Sequence, residues 1–384
     1  MKNLVDTINF DKLVEIYDNL QITIISDIIN KIESTGNITS FTKAQIKSLE
    51  EIGSKEVFYK ALDNASGITK DTNKELKRIY EEYAHEDLKH YKQEFKYRGK
   101  AFKLNSNQLR ILNQGLKSTR GTLKNLVKSI AFQSENLYIE AVDKAYMQVI
   151  SGGIDYNKAI YNTYKELAEQ GIKLKDSVGR NVQLDVAVRR NVLGGIQDTT
   201  NKINKEIFEE LGCDGYEVSA HSGARPSHAV AQGKQYALTR KDSEKYGVGY
   251  WYDEVDGEPI AELWDDYNCR HSYFGIILGV SEPNYTNKEL QDYQNENVLY
   301  KGKKMPLYEA EQQQRYYERN IRNKKRAIES IKIDTDVGNN IKNKLKEELK
   351  EYRRKYREFN KTTGLKADYT RTRIWPKCWF CSII

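Results

Sequence analysis

A chain of 384 residues with 39% hydrophobic and 11% aromatic content is long enough for about two or three units with real cores. Charged residues make up 30%, prolines number 5, and no apolar run reaches the length of a bilayer span, which excludes a membrane-spanning helix and favours a helix-rich chain. The net charge of +7 is uneven: residues 301–384 carry 23 Lys/Arg against 11 Asp/Glu, and residues 1–300 carry 39 against 44, so the basic character lies wholly in the C-terminal part.

The N-terminus lacks an apolar signal core, so a cleaved export signal is not expected. Residues 8–34 then repeat apolar side chains every three or four positions, from Phe10 and Leu13 to Ile28 and Ile32, the period of a helix face. A second helix is expected over 42–62, a turn at Asn64–Gly67, and a charged helix from Asp71 to Tyr97. His85 and His90 in that helix are five apart and do not share a face, so they mark no metal site. Residues 105–150 predict one long helix or two, with Gly115 and Gly121 as places where it could bend. After Gly152 and Gly153, Asp155 caps a helix to Gln170 that Gly171 closes. A small hairpin is expected over 172–185, and a helix from Asp185 to Leu211 ended by Gly212. No phosphate-binding glycine loop occurs in this helical half.

The texture changes after Gly212. Turn formers and aromatics rise, and short strands are expected at 216–220, 234–238 and 272–277. From Asn287 the chain reads as charged and helical again. Acid-then-base pairs four apart support a helix there, as at Glu311 with Arg315. Asp334–Gly338 breaks it, and Ile341, Leu345, Leu349, Tyr352, Tyr356 and Phe359 form the stripe of a second helix. The fold class is therefore mainly α with a small α+β domain. The expected organisation is a helical region over 1–211, a compact α+β domain over 212–285 and a basic helical hairpin over 286–384. The four cysteines make no disulfide framework. Cys378-x-x-Cys381 near the end has no partner cluster, which leaves it a hydrophobic tail rather than half a metal site.

Three of the chain's 5 histidines gather in two short segments, His221–His228 and Asn268–His271. Three readings fit them. His221, His228, Cys269 and His271 are ligand types that zinc takes, although the spacing matches no usual finger. Cys269 with His228 or His271 is a thiol with its base, oriented by Asn268, although no family-specific cysteine signature surrounds it. Third, His221, Arg225, His228, Asn268, Arg270 and His271 form a connected polar core that locks a glycine-rich domain. The third is the favoured reading, with no catalytic residue assigned, no cofactor expected and zinc as the alternative.

Those segments also carry a family likeness. His221-x-Gly-Ala-Arg-Pro-x-His228, then Gln232-Gly-Lys234, Asn268-Cys-Arg-His271 and Gly279-Val-Ser281 resemble the phage minor capsid protein family, which is related to the Mu protein F-like head morphogenesis proteins. The Gln/Arg-rich stretch Glu309–Arg326 and the segment Gly364–Arg371 resemble the family's later parts. The resemblance implies a non-enzymatic virion protein, built in the host cytoplasm and placed in the head interior or at the portal vertex. Its implied partners are the portal, the capsid proteins and packaged double-stranded DNA, with no membrane. In that setting Lys342, Lys344, Lys346, Lys350, Arg353, Arg354, Lys355 and Arg357 become candidates for phosphate contact without sequence readout. The rival is an effector or enzyme with its centre in 216–271.

Overall fold

A computed structural model describes residues 9–374 apart from 37, 39–40, 88–90, 92–94, 97–103, 152–153, 177–178, 265–268 and 270, with residues 83–87 described by backbone alone. The protein is mainly α with a small α+β part. Helix α1 (Asp11–Ser34) runs through the middle of the helical body, and half of its 24 residues are buried. Its buried side chains cover a broad face, with Lys12, Asn30 and Glu33 on the exposed remainder. Each fully buried Leu or Ile there contributes about 1.5–3 kcal/mol.

Around α1 stand α2 (Lys43–Gly67), α3 (Thr69–Asp87), α4 (Ser106–Ile150) and α5 (Tyr156–Gln170). The hairpin β1 (Lys173–Lys175) and β2 (Asn181–Gln183) follows, and then α6 (Leu184–Leu211). Capping boxes at Thr42 with Gln45 and at Asn105 with Gln108 start α2 and α4. Asp155 starts α5 by accepting from the Lys158 amide, and Gly212, left-handed at φ 61°, ends α6.

One expectation is corrected here: Asn64–Gly67 is the last turn of α2, not a loop, because the helix runs to Gly67, Ile68 caps it and α3 begins at the next residue. Of the two forms open to residues 105–150, one long helix is the one observed, and α4 runs for 45 residues through Gly115 and Gly121. Gly115 instead lies against Thr199 of α6, and Gly195 of α6 lies against Thr119 of α4. The two missing side chains let α4 and α6 approach, so Gly115 is a packing residue. The Tyr80 hydroxyl sits at this crossing, 2.6 Å from Thr119 Oγ1.

The α+β part begins at β3 (Gly215–Val218). It contains the one-turn helix α7 (Pro226–Ala229), β4 (Gln235–Ala237), α8 (Arg240–Tyr246) and β5 (Gly249–Tyr250). It continues with the pair β6 (Glu254–Val255) and β7 (Glu258–Pro259), then α9 (Ile260–Leu263) and β8 (Tyr273–Ile276). The sheet order is β5-β4-β3-β8, with β3 antiparallel to both neighbours and β5 parallel to β4. Val218, Tyr236, Trp251, Leu263 and Trp264 form its core.

Helix α10 (Asn287–Asn295) leads into a hairpin of β9 (Asn297–Tyr300) and β10 (Lys303–Pro306), where wholly helical chain was expected. Lys301 and Gly302 both have positive φ, 49° and 75°, the two-residue turn that suits a hairpin's twist. The last elements are α11 (Leu307–Ser330) and α12 (Asp336–Thr363). Ala327, Ile331, Ile341 and Leu345 join the same core as α1 to α6. A buried ionic knot adds to this. Arg326 of α11 donates to Asp18 of α1 at 3.0 Å and to Asp185 of α6 at 3.2 Å, and Arg322 pairs with Asp185 as well. Burial pushes the Arg322 guanidinium down to about 10, partly offset by the Asp18 charge. No helix among the described residues is long and apolar enough to cross a membrane.

Candidate functional site

The two histidine segments meet because of one strand pairing. In β3 and β8, Val218 stands opposite Tyr273, so the end of β3 and the start of β8 coincide. Beyond that pair the Ser219 amide donates to the Ser272 carbonyl at 2.8 Å, and the Ser272 amide donates to Ser219 Oγ at 3.0 Å. The chain leaving β3 carries His221, and the chain entering β8 carries Cys269 and His271. Pro226 takes the first position of α7, where its missing N–H costs nothing. One helical turn then places His228 inward. Gln294 of α10 braces the same turn by donating to the Ala229 carbonyl at 3.0 Å.

His228, Cys269 and His271 come together, and all three are buried. The two Nδ1 atoms are 3.4 Å apart; Cys269 Sγ is 3.6 Å from His228 Nδ1 and 3.4 Å from His271 Nδ1. The Gln232 Oε1 atom can only accept, so His271 Nε2 carries the proton that it donates to Gln232 at 2.9 Å. That bond turns His271 Nδ1 toward the sulfur. The same Gln232 oxygen accepts from the His221 amide at 3.0 Å. The His271 amide points at Cys269 Sγ from 3.4 Å. Trp264 is fully buried and meets both rings edge-on, His271 at 5.1 Å and His228 at 5.6 Å. Burial, followed by the charges of Arg225 and His221, pushes His228 down to about 4, so its ring is neutral at physiological pH.

His221 takes a different place from the other three. Its ring stacks on His271 with centroids 4.5 Å apart, and its Nδ1 donates to the Ser222 carbonyl at 2.9 Å. Arg225 is half-buried at the N-cap of α7 and acts on His228 through its charge. Asn268 and Arg270 lie outside the described residues, as do His90, Cys378 and Cys381. Gln232, central to this arrangement, was not among the expected site residues. The Gln232-Gly233 pair next to His228 was its only signal.

The cluster opens on a cavity of about 820 Å³ between the α+β part, α6 and α11. Arg189, Arg315, Arg319 and Arg371 line it together with Asp185, Glu311 and Glu318, so cations and carboxylates share its walls. Chemically, the cluster is one cysteine sulfur between two imidazole rings beside a polar cavity.

A second candidate lies on α12. The stripe Ile341, Leu345, Leu349, Tyr356 and Phe359 is buried, which turns the charged residues outward. Acids then sort the eight candidate phosphate contacts. Arg354 bonds Glu351 at 2.8 Å and Glu358 at 2.9 Å, Lys355 pairs with Glu351, and Lys344 pairs with Glu347. Lys346, Lys350, Arg353 and Arg357 instead line a groove of about 630 Å³ with Lys325 and Arg373, and no acid lines it among the described residues. Lys342 is half-buried outside this groove.

These features describe a helical structural protein with a pinned α+β insert and a basic edge, and comparison with known families gives it a class: a structural protein of the phage head. Residues 6–361 match the model of the family described as phage minor capsid protein 2, and the chain belongs to that family. No curated protein and no solved structure matches the chain.

Proposed function

We propose that this minor capsid protein works inside the head, next to the portal, and contacts packaged double-stranded DNA during packaging or ejection. The observation that carries the reading is the acid-free groove on α12. Its six cations converge where α11, α12 and the C-terminal segment meet. Such a surface suits the phosphate backbone, which is read as charge and not as sequence. The groove stands apart from the cavity at the Cys/His cluster, so DNA contact and assembly of the α+β part are separable. The full-length protein should bind duplex DNA of any sequence at low salt, with affinity falling steeply as salt rises. Absence of binding at low salt would end the proposal.

The cluster itself supports an architectural role. It joins α7, the β3 exit and the β8 entry through Gln232 and the three buried side chains His228, Cys269 and His271. His228→Ala combined with Cys269→Ala separates this role from turnover. An architectural centre gives a misfolded protein or one missing from heads. A catalytic centre gives a folded, incorporated and inert protein.

A further inference from the structure

We infer that His228, Cys269 and His271 form a zinc site, with His228 Nδ1, Cys269 Sγ and His271 Nδ1 as ligands and the fourth position open to the adjoining cavity. The spacing of the three atoms carries the inference. Zinc holds imidazole nitrogen at about 2.0–2.1 Å and thiolate sulfur at about 2.3 Å in a tetrahedron. The edges of that tetrahedron are about 3.3–3.4 Å between two nitrogens and about 3.5–3.6 Å between nitrogen and sulfur. The structure has 3.4 Å between the nitrogens, and 3.4 and 3.6 Å from them to the sulfur. A direct bond between the two rings explains the geometry less well, since 3.4 Å lies beyond the roughly 2.7–3.2 Å usual for N–H donors.

The surroundings are those that a ligating histidine and thiolate need. His271 donates its other nitrogen's proton to Gln232 at 2.9 Å, which fixes the ring and leaves Nδ1 as the ligating atom. The His271 amide points at the sulfur and favours the thiolate. Trp264 closes the site on another side with an apolar wall. Binding displaces the thiol proton of Cys269, so one proton leaves as zinc enters. His221 is not a ligand in this arrangement, because the ligand atoms that converge are those of His228, Cys269 and His271, while the His221 ring packs flat on His271. His228, Cys269 and His271 all line the large cavity, so the fourth position faces it. The metal would tie α7 to the start of β8 across 41 residues of chain.

The test is elemental analysis of the untagged full-length protein, with cobalt substitution as a spectroscopic probe. The expected result is about one zinc per chain, and a thiolate-to-cobalt charge-transfer band in the cobalt form. Both should persist in His221→Ala and in the double variant Cys378→Ser with Cys381→Ser, and both should vanish in Cys269→Ser. Should Cys269→Ser fail to fold, the wild-type and tail-variant measurements still decide. Wild-type protein without stoichiometric zinc overturns the inference. So does zinc that survives in Cys269→Ser and leaves with the C-terminal cysteines.

Discussion

The α12 groove offers the sharpest quantitative test. Lys346, Lys350, Arg353 and Arg357 follow one another at helical spacing, and the run covers about 16 Å of helix axis. Duplex DNA presents a charge about every 1.7 Å of its axis, so phosphates are available to all four side chains. If each neutralises one phosphate, log K should fall against log salt with a slope of about −3.6. A rise from about 50 to 200 mM salt then weakens binding about 150-fold. Replacing Lys350 and Arg353 with alanine should bring the slope to about −1.8 and the loss over the same range to about 12-fold. Replacing Lys344 and Lys355, which pair with Glu347 and Glu351, should leave the slope unchanged. Fluorescence anisotropy on two unrelated duplexes measures all three proteins. Equal slopes in wild type and the groove variant, or a clear preference between the duplexes, would refute the reasoning.

Other expectations concern the frame that holds these surfaces. Arg326→Met leaves Asp18 and Asp185 buried around a missing charge, and chemical denaturation should show a loss of about 3–5 kcal/mol; a loss under about 1 kcal/mol would mean that water replaces the guanidinium. Gly195→Ala pushes a methyl group onto Thr119 and should cost about 1–3 kcal/mol, whereas Gly121→Ala, facing open space, should be neutral or slightly stabilising. At Glu348, burial works against the charge, but hydrogen bonds from Lys165 and Lys324 outweigh it and hold the carboxyl at about 2. A depressed folded value means stability that is present above the unfolded carboxyl range, near pH 4.3, and lost as pH falls toward 2. Glu348→Gln should therefore flatten the stability profile between those limits, and an unchanged profile would contradict the tie.

Much of the helical body was legible because its apolar residues repeat at the helical period and its ends carry ordinary caps, such as Asp155 and Gly212. What escaped depended on partners distant in sequence. Asn64, Ser66 and Gly67 are turn formers locally, yet α2 carries its hydrogen-bond ladder through them. Gly115 looked like a bend because Thr199, which needs the space, lies 84 positions away. The hairpin at β9 and β10 was hidden by its lysines and asparagines, although Lys301-Gly302 marked its turn. In the site, residue chemistry singled out His228, Cys269 and His271, and the β3–β8 pairing explains their meeting. The separate position of His221 follows from ring stacking and a bond to its neighbour's carbonyl, neither of which has a sequence signature. On α12 the basic count was evident, but only the fold separates side chains that face acids from those that line the groove.

Cross-linking mass spectrometry on purified, DNA-filled heads tests the central claim most directly. This chain should be present, should cross-link to the portal subunit, and should show α12 lysines that become more reactive when the heads are emptied of DNA. A chain absent from heads, or one linked only to proteins of the outer surface with α12 indifferent to DNA, would contradict it.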